Sequence, residues 1–200
     1  YSMKFGGAIK EFTEVDMVCM RADPTVVPLL LNMLELIEDK VFFVNKIYGL
    51  RKANNKIYTA SFDDGQETII PQTLITKDVD LIKVFVEENN FDKFIIKPLD
   101  GMGGKGVVLF ERKSVGNLSS ICDFYINHTG VPQPIICQNY IAGAEKGDVR
   151  VIVVNGEPIG AIMRVPAEGD HRSNISAGGS AIQHILDDYE IEYVEKLENN

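Results

Sequence analysis

Leu30, Leu31, Leu34 and Ile37 recur at helical spacing between two apolar runs, Met17 to Met20 and Val41 to Val44. The pattern predicts strand, helix and compact buried strand, a β-α-β unit at the end of a parallel sheet. Arg21-Ala22-Asp23-Pro24 closes the first strand, because Pro24 has no N–H and restricts its predecessor; a turn follows. Arg51 to Ser61 reads as helix and Thr68 to Thr76 as extended chain. Asp78 to Glu88 reads as a helix with Asp78 as its N-cap and Val79, Ile82, Val84, Phe85 and Val86 as its apolar face. A helix over Val115 to Asn127 and a strand over Ile135 to Gln138 come next, then a hairpin whose arms, Arg150 to Val154 and Pro158 to Arg164, flank Asn155-Gly156. From Val165 the apolar pattern lapses into a long polar loop, and Ala181 to Asn200 reads as an acidic helix. The fold class is α/β, with strand-rich units of α+β character.

Phe94 to Phe110, FIIKPLDGMGGKGVVLF, breaks this rhythm with a glycine-rich loop between two apolar strands. A Walker or Rossmann loop opens a helix, whose free N–H groups hold the phosphate. This one opens the β-run Val107-Val108-Leu109-Phe110, and Gly106 stands where Walker A needs Ser or Thr. It is therefore a flap between strands whose backbone N–H groups can cover a nucleotide.

Composition narrows the functional classes. A net charge of −9 argues against nucleic acid or an anionic membrane as partner, since neither meets a basic face. Cys19, Cys122 and Cys137 are dispersed and odd in number, which fits neither a disulfide framework nor a zinc site and suits a reducing cytoplasm. No apolar run approaches the roughly 20 residues of a membrane span. The chain opens on Tyr1, which leads us to expect a piece of a longer protein.

Lys97 ends an apolar strand, where an ammonium is costly without a partner and a phosphate is a good one. The glycines after it permit close backbone approach; Lys56 carries a weaker signal of the same kind. Alternation along a strand puts Asp148 and Arg150 on one face. Arg164 and Arg172 add two guanidinium groups with no acidic partner at obvious spacing, a set suited to substrate carboxylates and a transferring phosphoryl group. His128, His171 and His184 lack metal-ligand spacing and are read as exposed or loop residues, and no GxSxG or kinase signature is present.

Four ordered motifs carry a resemblance: Lys97-Pro98-Leu99-Asp100-Gly101-Met102-Gly103-Gly104; Gln138-Asn139-Tyr140-Ile141; Gly147-Asp148-Val149-Arg150 with Asn155-Gly156-Glu157-Pro158; and Arg172-Ser173-Asn174 through Ala177-Gly178-Gly179. Over about Met17 to Ser180 the chain resembles the bacterial glutathione synthetases of the ATP-grasp superfamily. The resemblance implies an ATP-dependent carboxylate–amine ligase that joins γ-glutamylcysteine to glycine through an acyl phosphate. It implies ATP and Mg²⁺ as cofactors, a cytoplasmic setting and a homo-oligomer for the full-length protein.

Carried over by position, Lys56 and Lys97 resemble the lysines on the nucleotide phosphates, under a flap of Gly101, Met102, Gly103 and Gly104. Gln138, Asn139, Tyr140 and Ile141 resemble the segment that receives adenine, and Asp148 is placed with the nucleotide. Arg21 resembles an arginine on the peptide substrate, and Arg150 and Arg164 the catalytic pair facing the acyl phosphate and substrate carboxylates. Arg172, Asn174, Gly178 and Gly179 fall in the family's mobile loop. The implied domains are the end of an amino-terminal substrate domain (1–53), a smaller ATP-grasp lobe bearing the flap (54–139) and part of a larger lobe (140–200). The family's metal-binding Asp and Glu-x-Asn are expected beyond residue 200, since Glu198-Asn199-Asn200 and Glu87-x-Asn89 match the triplet only literally. Two alternatives stay open from the residues alone: another ATP-grasp carboxylate–amine ligase, or a non-catalytic nucleotide-binding fragment.

Overall fold

A computed structural model describes residues 2–5, 8–11, 14–21, 28–62, 70–169 and 172–198, and backbone contacts divide the chain into two units, Tyr1–Tyr58 and Thr59–Asn200. The expected turn at Ala22-Asp23-Pro24, the start of the Thr68 to Thr76 segment, His171, and Asn199-Asn200 lie outside the described residues.

In the first unit, strands β1 (Ser2–Phe5) and β2 (Ala8–Glu11) pair antiparallel. Strand β3 (Met17–Cys19) runs parallel to β4 (Phe42–Val44), with helix α1 (Pro28–Glu35) between them in sequence, as the apolar spacing requires. Leu31, Leu34 and Ile37 pack with Val41, Phe43 and Ile47 into a small core. Only Phe43 of β4 is buried; Phe42 and Val44 point outward, so the expected buried strand is an alternating one. Helix α2 (Ile47–Ala53) gives way to a 3-10 segment, Lys56–Phe62, instead of the single predicted helix. The break falls at Asn54-Asn55, where the Asn55 side-chain oxygen accepts from the Ile57 N–H and competes with helical bonding.

The second unit begins with β5 (Thr73–Thr76) and α3 (Val79–Glu88), whose N-cap Asp78 accepts from the N–H groups of Asp80 and Leu81. Strands β6 (Lys93–Pro98) and β7 (Val108–Glu111) flank the flap, followed by α4 (Leu118–Asn127) and β8 (Ile135–Asn139). These strands form one antiparallel sheet in the order β5-β8-β6-β7. Alternation sorts its two faces. Phe94 and Ile96 of β6, Phe110 of β7, and Ile135 and Cys137 of β8 join Ile82 and Val86 of α3 and Leu118, Cys122 and Ile126 of α4 in the main core. Ile95, Lys97, Ile136 and Gln138 take the other face by the same alternation. Phe94 and Phe110 lie directly opposite one another, their rings stacked at 5.4 Å.

A second antiparallel sheet, ordered β11-β10-β9, follows: β9 (Asp148–Val154), β10 (Glu157–Val165) and β11 (Ser180–His184). Asn155 and Gly156 both take positive φ, the geometry of the tight hairpin turn their sequence predicts. Strand β11 was not anticipated; its residues belong to the segment expected to start an acidic helix. Helix α5 spans Asp188–Glu198, because Asp187 and Glu190 cap it reciprocally: the Glu190 N–H donates to Asp187 at 2.8 Å and the Asp187 N–H to Glu190 at 3.0 Å. His184, expected to be exposed, is half-buried and lies 2.8 Å from the Glu190 carboxylate.

Truncating Phe94, which is fully buried, should cost about 3–5 kcal/mol in urea unfolding of a Phe94→Ala variant. Burial pushes the thiols of Cys122 and Cys137 up to about 11 and about 12, whereas Cys19 is exposed. Titration of the native protein with a thiol reagent should therefore modify Cys19 quickly and the other two only in denaturant.

Candidate active site

The face of the four-stranded sheet turned away from α3 and α4 lines a cavity of about 220 Å³, formed wholly within the second unit. Its walls bring together Lys97, the run Gln138 to Ile141, Asp148, Arg172 and Asn174, with apolar surface from Ile95 and Val107. Eight residues given a site role in the sequence analysis, contributed by four separate stretches of chain, thus share one hollow.

Lys97 is half-buried, and its Nζ donates to Gln138 Oε1 at 2.7 Å. Gln138 Nε2 donates in turn to Thr73 Oγ1 at 2.7 Å, and the Thr73 hydroxyl to the Pro71 carbonyl at 2.6 Å. Thr73, which sequence reasoning passed over, stands directly across from Gln138 in the β5–β8 pairing. The Tyr140 hydroxyl donates to Glu145 at 3.0 Å, and that carboxylate also accepts from the Gly143 N–H at 3.2 Å. Hydrogen bonds from its own backbone, then from Tyr140, hold Glu145 below the usual carboxylate range. Desolvation and the same carboxylate raise the Tyr140 phenol.

The flap glycines do not line the cavity. Gly101, Gly103 and Gly104 all take positive φ, and Met102 is about half exposed at 53%. The tip nonetheless meets the loop between β10 and β11: a Cβ at Gly104 would stand 2.6 Å from Asn174 Oδ1 and 3.2 Å from Arg172 Cδ. From Asn174 to Gly179 that loop folds on itself, with Ala177 and Gly179 N–H groups donating to the Asn174 carbonyl at 2.9 and 3.2 Å and Gly178 at positive φ. A Cβ at Gly179 would crowd the Ser173 and Val165 carbonyls at 2.8 and 2.9 Å. Ser173, which stands in the fourth motif but was given no role, is buried at 6% and lines the cavity.

The arginines differ from expectation. Arg164 has an acidic partner, since its Nε donates to Asp148 Oδ1 at 2.6 Å; the two are opposite in the β9–β10 register. The spacing hid this because the pairing runs across a hairpin. Arg150 shares that sheet face but is exposed, and neither Arg150 nor Arg164 lines the cavity. Arg21 and Lys56 lie in the first unit, Arg21 exposed and Lys56 half-buried.

A family model described as "Prokaryotic glutathione synthetase, ATP-grasp domain" matches residues 55–200. The chain belongs to the prokaryotic glutathione synthetase ATP-grasp family. Its family relatives include the glutathione synthetases of Mesorhizobium japonicum, 36% identical over 94% of this chain and 58% of that protein, and of Agrobacterium fabrum, 38% identical over 84% and 51%. The chain thus spans a little over half the length of these curated relatives. Among solved structures, the D-cycloserine synthetase DcsG aligns with a TM-score of 0.69 at 17% identity, over 95% of this chain and 68% of that one. The RimK domain ATP-grasp protein from Sphaerobacter thermophilus aligns at 0.63 and 16% identity, over 92% and 63%. Both share its fold, and the second unit is accordingly part of an ATP-grasp domain.

Among the described residues no group of three or more His, Cys, Asp or Glu side chains could hold a metal ion, and no helix is long and apolar enough to cross a membrane.

Losing the Asp148 carboxylate leaves the Arg164 guanidinium, 15% exposed, without that partner. Because Asp148 itself is 44% exposed, Asp148→Ala should cost only about 1–2 kcal/mol in chemical denaturation, and adding Arg164→Ala should recover part of it.

Proposed function

We propose that the complete protein is a glutathione synthetase, ligating γ-glutamylcysteine to glycine at the expense of ATP. The observation that carries this reading is the gathering of Lys97, Gln138 to Ile141, Asp148, Arg172 and Asn174 around one cavity in a chain of this family. Apolar walls from Ile95, Val107 and Ile141 suit a purine, while Lys97 and Arg172 supply the cations that phosphates need. The flap, with three glycines at positive φ, can bring its backbone close to a phosphate chain.

In the proposed reaction a carboxylate oxygen of γ-glutamylcysteine bonds to the γ-phosphorus as the β–γ bridging P–O bond breaks, releasing ADP. The glycine amine then bonds to the acyl carbon, phosphate departs, and the amine loses its proton. No protein nucleophile is required; the residues orient reactants and spread charge. Lys97 would hold phosphate oxygens, and Arg172 and Asn174, which touch the flap tip, would help keep water from the acyl phosphate. Arg150 and Arg164 would face the substrate carboxylates, with Asp148 fixing the direction of Arg164. Roles for Arg21 and Lys56, on peptide and phosphate, rest on sequence resemblance alone. Mg²⁺ neutralises charge in such transfers, but the described residues do not assemble a site for it.

The test is ADP release by the complete protein with Mg-ATP, γ-glutamylcysteine and a panel of acceptor amines. Glycine should be preferred, and Lys97→Ala should lower turnover by at least ~100-fold. Equal use of other amines would point to a different carboxylate–amine ligase, and near-normal turnover of Lys97→Ala would remove the phosphate role.

A further inference from the structure

Gln138 belongs to the segment that resembles the family's adenine site, yet its side chain is engaged elsewhere. A lysine ammonium only donates, so Gln138 must turn its Oε1 toward Lys97 Nζ, as it does at 2.7 Å. That orientation aims Nε2 the opposite way, where it needs an acceptor, and Thr73 Oγ1 stands there at 2.7 Å. The Thr73 hydroxyl then needs an acceptor for its own proton, which the Pro71 carbonyl provides at 2.6 Å. Each bond thus sets the direction of the next, from a backbone carbonyl to the lysine tip. The scaffold is firm on every side: Thr73 and Gln138 are register partners, Gln138 is also opposite Ile95, and Lys97 is opposite Ile136, which is buried. A half-buried ammonium with four rotatable side-chain bonds loses much conformational freedom when fixed. The bond to Gln138 fixes the direction of one of its three donors and so orients the group.

We propose that Gln138 and Thr73 are positioning residues that hold Lys97 ready for a nucleotide phosphate, Gln138 acting through the lysine and not on the base. This rests on the phosphate role proposed for Lys97, and the two ideas can fail separately.

The experiment is ADP binding to the complete protein by calorimetry, with thermal midpoints measured on the same samples. Lys97→Ala tests the underlying role; unchanged affinity there would remove both ideas. Provided Lys97→Ala binds weakly, Gln138→Leu and Thr73→Val should each lose about tenfold in affinity, the worth of one well-formed hydrogen bond, while Thr73→Ser restores it. Gln138→Met, which keeps the chain length, serves if Gln138→Leu does not fold. The decisive arm is the double variant Lys97→Ala/Gln138→Leu, or Lys97→Ala/Gln138→Met in that case. If Gln138 acts through Lys97, the pair binds ADP no worse than Lys97→Ala alone. Additive losses would mean that Gln138 meets the nucleotide directly, and wild-type affinity in both Gln138→Leu and Thr73→Val would mean that the relay orients nothing; either result overturns the proposal.

Discussion

The half-buried Lys97 ammonium, on a central strand of the four-stranded sheet, constrains everything near it. The β6 strand buries Phe94 and Ile96 against α3 and α4, and a period of two sends Ile95 and Lys97 to the other face. Slipping the register by one residue would put the charge into the core and two aromatic or aliphatic side chains into the cavity. The stacked pair Phe94–Phe110 resists that slip, because it fixes β6 against β7 at the strand that carries the lysine. Packing on one side of the sheet therefore determines where the cation stands on the other, and Gln138 and Thr73 follow from the same pairing.

The flap and the β10–β11 loop meet at Gly104, which has no side chain of its own to keep Asn174 and Arg172 away. Gly104 has positive φ and lies so near Asn174 and Arg172 that a methyl group would displace the asparagine oxygen. Glycine is needed there for both conformation and clearance. The same economy recurs at Gly147, where a Cβ would collide with the Arg164 carbonyl, so the approach to β9 stays close enough to seat Asp148 beside Arg164. Glycine thus sets distances between segments in this unit as much as it permits turns.

The helical stripe of α1, the N-cap Asp78, the Asn155-Gly156 turn and the strand-flap-strand unit were all legible in the sequence, because each is written in local spacing or local turn chemistry. Four motifs far apart in the chain also pointed to residues that share the cavity. What stayed hidden depends on register across a sheet. The Asp148–Arg164 pair and the Thr73–Gln138 bond join residues 16 and 65 positions apart, and no spacing rule reveals them. Strand β11 was hidden for another reason: Ser180 to His184 is short, mixed in polarity and followed by a true acidic helix, so the helical pattern spread backward over it. The Asp187-x-x-Glu190 capping box was the available signal that the helix starts later.

A site made this way separates rigidity from adaptability. Lys97, Gln138 and Thr73 stand on strands whose opposite faces are the main core, so their positions are enforced by burial. Arg172, Asn174 and the flap glycines stand on loops, each loop braced by short backbone hydrogen bonds of its own, and the two meet at Gly104 beside the Asn174 and Arg172 side chains. Contacts of that kind carry little free energy, and loop segments open more readily than core strands. In the proposed chemistry that division is useful: a phosphoryl group in transfer needs a fixed cation before it arrives, while the reactive acyl phosphate needs a cover that opens for substrates and product. The strands can supply the first and the loops the second, and neither segment could do both, because a cover as rigid as the sheet would block entry and a lysine as loose as the flap would lose its aim.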